Sequence, residues 1–271
     1  MNLDPQAVRA FEYAAWQRAA SSYDRSFAGA TKGFIPALLD AACVGAGTRA
    51  LDVACGPGYA AAAAAARGAG AVGLDFSPAM IAIARAAHPS IEFVQGDAES
   101  LPFLDSSFAA VVSNFGIHHA PDSVAALRQA YRVLRPGGYV AFTAWAEPAE
   151  NVAWQLVFDA ISRHGDGAAA AAPPPGGTFN QPDDCLRALE RAGFGLARVR
   201  LVRLAWSLRN AGDLIEALRR GTARMAALIA AQSRTALPEI RTHVARRAEQ
   251  YRAGDHILVP IAALLASGRK S

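Results

Sequence analysis

The residues best suited to chemistry fall in one short run, Leu51-Asp52-Val53-Ala54-Cys55-Gly56-Pro57-Gly58-Tyr59. An apolar stretch there enters a glycine turn and then a helical segment. Glycines let the backbone approach a ligand closely, and a helix N-terminus offers unpaired N–H groups. Three more polar residues follow strand-like runs in turn. Asp75 ends Ala71 to Asp75, Asp97 follows Ile91 to Gln95 within Gln95-Gly96-Asp97-Ala98, and Asn114 follows Phe108 to Ser113. A carboxylate at a strand end, such as Asp75, accepts both hydroxyls of a ribose in dinucleotide folds. Asp97 is placed to meet an adenine amino group. Taken singly, each acid serves equally well as a helix cap or turn former. Four in successive register point instead to one crevice outside the carboxyl ends of parallel strands.

The elements that must position these residues alternate. Arg49 to Ala54, Ala71 to Asp75, Ile91 to Gln95, Phe108 to Ser113 and Tyr139 to Trp145 read as strands. Between them lie helical segments, among them Tyr59 to Arg67, one capped by Ser77-Pro78, and Asp122 to Leu134, which Arg135-Pro136-Gly137-Gly138 stops. Such alternation implies parallel pairing through crossovers. Further on, Asn151 to His164 and Asp183 to Ala192 read as helices, Gly165 to Gly177 as a low-complexity loop, and Leu196 to Ser207 and His256 to Leu265 as strands. Between those last strands come two helical stretches, the first opened by an Asp213–Glu216 capping box. We therefore expect an α/β, Rossmann-like fold, with a seven-stranded mostly parallel sheet, helices on both faces and a helical cap. One domain is expected: an N-terminal helical segment (1–34), a ligand-binding core (35–148), the second half of the sheet (149–209), a cap insert (210–254) and the last strand (255–271). An insert between the last two strands lies outside the layer packing, so it is a cap over the strand ends or an oligomer surface, as in a homodimer.

The set LDVACGPG, VGLDFSPAMI, QGDAESLPF, VVSNFGIHH and LRPGGYV resembles the class I S-adenosylmethionine-dependent methyltransferases. Within them it is most similar to the small-molecule group that includes the ubiquinone/menaquinone C-methyltransferases (methyltransferase type 11). The resemblance is specific over about residues 45–145 and weak in the insert. It implies S-adenosylmethionine as cofactor, S-adenosylhomocysteine as product, and a small, largely apolar or aromatic acceptor. By resemblance, Asp52 and the backbone of Ala54, Cys55, Gly56, Pro57 and Gly58 hold the methionine part. Asp75 takes the ribose, Phe76 and Met80 flank the adenine, and Gly96, Asp97 and Ala98 meet its edge. Asn114 and Phe115 face the methyl end. Ala60 stands where the family often has a third glycine.

Methyl transfer to a phenol or carbon acid also needs a base, and His118 and His119, just past the fourth strand, are the candidates. His118 also counts among the acceptor-binding candidates. Tyr13, Trp16 and Tyr23 could line the acceptor pocket from the N-terminal segment or merely staple it to the sheet. His164, His243 and His256 lack companions in the sequence and receive no role.

Gly56-x-Gly58-x-x-Ala61 also fits a looser dinucleotide fingerprint, so an NAD-dependent oxidoreductase is the rival. Asp52 argues against it, since it would repel a pyrophosphate. Leu186 to Arg252 carries 14 Arg against 5 acids, a local +9 within a net charge of +4, which raises a nucleic-acid methyltransferase. Ser113-Asn114-Phe115-Gly116 is unlike the Asn-Pro-Pro-Tyr type used on base amino groups, and nothing interleaves basic and aromatic residues for stacked bases. A small-molecule partner is therefore expected rather than nucleic acid. A non-catalytic binder is the third reading.

The 271 residues include 64 alanines, so the 52% hydrophobic content describes close-packed helices rather than a greasy surface. Cys43, Cys55 and Cys185 have no metal-ligand spacing, so no metal is expected, and a reducing cytoplasm is the expected compartment. The first residues lack a leader's apolar core. The longest apolar stretch, Ile257 to Ala266, is about half of a membrane span, so no membrane partner is expected.

Overall fold

The computed structural model describes residues 4–169 and 179–271. The chain begins with helices α1 (Pro5–Ser26), α2 (Ala28–Thr31) and α3 (Ile35–Ala41). The alternating core follows as β1 (Arg49–Val53), α4 (Tyr59–Ala66), β2 (Gly70–Asp75), α5 (Pro78–Ala87), β3 (Glu92–Gln95), β4 (Phe108–Asn114), α6 (Ser123–Val133) and β5 (Leu134–Trp145). The second half contributes α7 (Val152–His164), α8 (Pro182–Arg191), β6 (Gly195–Leu208), α9 (Asp213–Gly221), α10 (Arg224–Ala230), α11 (Ala236–Ala248), β7 (Arg252–Ala253) and β8 (His256–Arg269). The reading of Gly165 to Gly177 as a loop falls largely outside the described residues.

Seven strands form the main sheet in the order β3-β2-β1-β4-β5-β8-β6, and the two-residue β7 pairs with β8. The pairs from β3 to β5 are parallel, and β8 runs antiparallel to both β5 and β6. The chain moves outward from β1 to β3, then returns to β4 on the other side of β1. This reversal opens a crevice at the carboxyl ends of β1 and β4. The expected doubly wound α/β sheet is thus present, with β7 as a small addition.

Burial explains the strand sequences. Ala50 to Val53 are all buried, as in a strand covered on both faces. On one face Leu51, Val53, Val111 and Phe142 pack with Leu127 of α6 and Leu189 of α8. On the other, Ala50, Ala110 and Ala141 meet Leu38 and Leu39 of α3 and Ala60 and Ala64 of α4. Alanine at these contacts lets helix and sheet backbones approach closely. The apolar Ile257 to Ala266 is the middle of β8, flanked by β5 and β6.

Helix starts follow local chemistry. The Ser77 hydroxyl accepts from Met80 N at 3.2 Å with Pro78 behind it, and Asp122 accepts from Ala125 N at 2.9 Å. The Asp213 reading needs correction. Asp213 lies inside the first turn of α9 and accepts from Asn210 N at 2.9 Å, while Glu216 pairs with Arg219 and Arg241. The insert holds three helices rather than two, because the chain turns at Thr222–Ala223. Gly221 lies against α1, where an added Cβ would sit 2.3 Å from Phe27 Cβ. β5 starts earlier than the Pro-Gly-Gly stop suggests, since Leu134 pairs with Phe108 before a register shift restores pairing at Tyr139.

The insert shares one apolar cluster with α7 and the far ends of β6 and β8. Leu214, Leu218, Met225, Ile240 and Val244 meet Val157, Ile161, Trp206 and Ile261 there. Two of the companionless histidines are joined at this seam. His164 Nε2 lies 3.1 Å from His243 Nδ1, and His243 Nε2 lies 3.1 Å from Asp159 Oδ2. His256 Nδ1 meets Ser207 Oγ at 3.2 Å. No described helix is long and apolar enough to cross a membrane.

Candidate active site

A narrow cleft of about 90 Å³ opens where β1, β2, β4 and β5 end. A wider pocket of about 570 Å³ adjoins it, and Phe76 lines both. The floor of the cleft is the β1–α4 turn. Ala54, Gly56 and Gly58 all have left-handed backbones, with φ of 55°, 52° and 84°. Gly58 has no room for a side chain, since a Cβ would lie 2.7 Å from Phe93 Cζ. This glycine shapes the turn but does not itself line the cleft.

Asp52 is the most informative group. It is 2% exposed, its Oδ2 accepts from Ala61 N at 2.9 Å, and its Oδ1 is buried without a partner. Burial pushes its carboxyl up to about 8; the Ala61 hydrogen bond opposes this and Asp75 adds to it. A buried, unpaired carboxylate oxygen in a cleft invites a cationic or N–H ligand group. Asp75 Oδ2 accepts from Gly56 N at 2.8 Å and Oδ1 from Ser77 N at 2.9 Å. Burial raises its carboxyl to about 6, against three backbone hydrogen bonds. Asp75 therefore braces the turn as well as facing the cleft. Cys55, Pro57 and Met80 also line the cleft. Burial pushes the Cys55 thiol up, so it stays protonated.

The opposite wall comes from β4 and β5. Asn114 donates from Nδ2 to the Thr31 carbonyl at 3.2 Å and accepts at Oδ1 from Thr143 Oγ1 at 2.8 Å. Phe115 has φ +58°, a strained backbone for a bulky residue, and stacks on Trp145 at 4.0 Å between centroids. Trp16, Tyr23 and Phe27 close the wall from the N-terminal helices. Burial raises the Tyr23 phenol to about 12, so it stays neutral.

Several expected residues fall elsewhere. Tyr13 lies in the outer pocket, edge-on to Phe76 at 5.8 Å, and away from the aromatic wall. Gly96 and Asp97 line that outer pocket too. Asp97 is already engaged, since Oδ1 accepts from Glu99 N at 2.9 Å and Oδ2 from Arg9 of α1. Ala98 lines neither pocket and packs against the core. His118 is the clearest departure. It does not line the cleft, its Nδ1 is buried without a partner, and burial holds its imidazole well below its ordinary value. The two histidines are consecutive in one short 3-10 turn, which points only His119 into the cleft.

His119 lines the cleft beside Trp16, with ring centroids 5.0 Å apart. Its Nδ1 lies 2.9 Å from Glu12 Oε2. Glu12 is 1% exposed and also accepts from Arg224 Nε at 2.9 Å and Trp16 Nε1 at 3.0 Å. Burial raises its carboxyl, but the charges and hydrogen bonds of His119 and Arg224 outweigh that and hold it at about 2. Sequence reasoning missed Glu12, Thr31, Trp145 and Arg224. Trp145 could have been found, because it ends β5 as Asn114 ends β4. A lone acid in an alanine-rich helix gives no such signal. Among the described residues no group of three or more His, Cys, Asp or Glu is arranged to hold a metal.

With the geometry in place, relatives sharpen it. Residues 51–142 match the family model described as a methyltransferase domain. A demethylmenaquinone methyltransferase of Beutenbergia cavernae is 41% identical over 112 residues, covering 41% of this chain and 47% of that protein. The chain spans about half the length of the curated relatives it matches. A crystal structure of a putative methyltransferase from Bacillus halodurans superposes with a TM-score of 0.56 at 23% identity, covering 88% of this chain and 99% of that one. A [4+2]-cyclase superposes with a TM-score of 0.51 at 21% identity, covering 88% and 80%, so the fold alone does not fix the reaction. Residues 51–142 thus resemble a methyltransferase domain, and the chain shares the fold of solved methyltransferase structures. Over that stretch it is similar to the demethylmenaquinone methyltransferases.

Proposed function

We propose that the protein transfers a methyl group from S-adenosylmethionine to a small, largely apolar or aromatic acceptor. The observation that carries this is Asp52 Oδ1, buried and unpaired in the same cleft as the Trp16, Tyr23, Phe115 and Trp145 wall. A buried carboxyl that a cationic group would ionise stands on one side, and an aromatic surface suited to an apolar group on the other.

Bound there, S-adenosylmethionine supplies an electrophilic methyl on a sulfonium. Asp52 and the Ala54–Pro57 backbone hold the amino-acid end. Asp75 would take the ribose, Phe76 and Met80 would flank the adenine, and Gly96 and Asp97 of the outer pocket would meet its edge. Asn114 and Phe115, fixed by Thr143 and Trp145, set the side from which an acceptor approaches. Alignment and exclusion of water are the protein's main contribution, worth up to roughly 7–11 kcal/mol. The relative named a demethylmenaquinone methyltransferase supports an aromatic acceptor of quinol type. A cytoplasmic setting is part of this reading, supported by three free cysteines. So is a homodimer, for which edge strand β6 with exposed Leu196 offers a surface.

A labelled-donor assay with 1,4-naphthoquinol tests the acceptor class. Methyl incorporation supports it. Incorporation only into RNA or DNA, with salt-sensitive binding, would replace it with the nucleic-acid reading.

A further inference from the structure

Glu12, His119 and Arg224 come from three separate parts of the chain: α1, the turn after β4, and α10 of the cap. They meet beside the cleft in one hydrogen-bonded cluster. Glu12 Oε2 faces His119 Nδ1 at 2.9 Å, and Glu12 Oε1 faces Arg224 Nε at 2.9 Å. Arg224 Nη2 reaches on to the His118 carbonyl at 3.1 Å. An ionised carboxylate only accepts, so His119 Nδ1 must carry the proton in this bond. His119 Nε2 has no protein partner among the described residues, and the ring lines the cleft.

We propose that Glu12 is a positioning residue that fixes His119 as the proton acceptor, with Arg224 tying the arrangement to the cap, and that the acceptor substrate is an oxygen or carbon acid. The proposal rests on the methyl-transfer reading and narrows its substrate class. The carboxylate holds the imidazole in the tautomer with a bare Nε2 and stabilises the imidazolium that forms. Arg224 neutralises Glu12 in a site where a lone buried charge would be costly. The imidazole of His118, kept neutral by burial, adds no competing charge at the ring it touches.

The step balances. The acceptor O–H or C–H proton moves to His119 Nε2. The electron pair left on oxygen or carbon forms the bond to the methyl carbon. The sulfur–carbon bond breaks with its pair on sulfur, and His119 later returns its proton to solvent. A neutral amine acceptor attacks before losing its proton and would gain little from this dyad.

The test uses the full chain, labelled donor, and 4-substituted phenols from 4-methoxyphenol to 4-nitrophenol as acceptors. Glu12→Gln should lower kcat about 100-fold for the weakest acid and leave 4-nitrophenol, already ionised, nearly unchanged. KM and S-adenosylhomocysteine affinity should hold. Because Glu12→Gln leaves Arg224 uncompensated, Glu12→Gln with Arg224→Leu is made alongside; it should regain thermal stability without regaining kcat. Equal loss across the phenols, or no loss, overturns the proposal. Long-range nitrogen NMR of the wild type reads the tautomer without turnover. His119 protonated on Nδ1 with Nε2 bare is expected, and the reverse tautomer overturns the proposal. Failure of the wild type to bind S-adenosylhomocysteine would instead overturn the methyl-transfer reading beneath it.

Discussion

Asp52 and Asp75 share the cleft but differ in what they leave unsatisfied. Asp75 spends both oxygens on backbone N–H groups, whereas Asp52 keeps one oxygen buried and unpaired. With its carboxyl near 8, Asp52 holds a proton at pH 7 in the free protein. A cationic amino group favours the ionised form, so binding should expel that proton. Titrating S-adenosylhomocysteine in two buffers of different ionisation enthalpy should show proton release near pH 7, and Asp52→Asn should abolish it. Asp75→Ala should weaken the same binding by roughly 1–3 kcal/mol, through lost ribose contacts and a loosened turn. Unchanged affinity would mean the ribose lies elsewhere. At this scale the sequence was legible where a residue's place follows from a strand end. Asp52, Asp75 and Asn114 all reach the cleft for that reason. His118 and His119 could not be separated by position, because they are consecutive in one 3-10 turn whose orientation decides which ring faces inward.

The elements explain why the binding half of the site reads from sequence and the acceptor half does not. The β1–α4 turn is local: nine consecutive residues carry its left-handed glycines and its acid. Gly58 has φ +84° and no space before Phe93, so Gly58→Ala should cost roughly 1–3 kcal/mol in urea denaturation. A variant as stable as the wild type would show that the turn can relax. The acceptor wall is instead assembled from α1, the end of β5 and the cap. Arg9 of α1 grips Asp97 and Glu99, and Glu12 grips His119 and Arg224. Those partners are about 90 to 212 residues apart, and no local pattern announces them. Sequence did show that an insert stands outside the sheet layers. Its third helix was missed because Gly221 responds to contact with α1, not to neighbours in the chain.

For the molecule as a whole, the site works against stability. Asp52 is raised to about 8 from an ordinary 3.8, so the folded state holds a proton that the unfolded chain has lost in between. Stability from this group therefore falls as pH rises through that window. Asp75 acts the same way up to about 6, while buried His118 opposes both below its ordinary 6.5. Between about pH 6.5 and 8 Asp52 is left as the dominant one of the three. The ligand-free thermal midpoint should fall there, by at most about 1.4 kcal/mol of stability per pH unit, and Asp52→Asn should flatten the slope. The alanine excess belongs to the same scale, letting α3 and α4 sit close on the sheet. Half of the 14 arginines from Leu186 to Arg252 make ion pairs, such as Arg203–Glu150 and Arg219–Glu216, and one of them, Arg224, reaches the site. The central claim is that this crevice is built for S-adenosylmethionine rather than a nicotinamide dinucleotide. Calorimetric titration of the wild-type protein with S-adenosylhomocysteine and with NAD tests it most directly. Saturable one-to-one binding of S-adenosylhomocysteine with none of NAD is the predicted result; binding of NAD alone, or of neither, would contradict it.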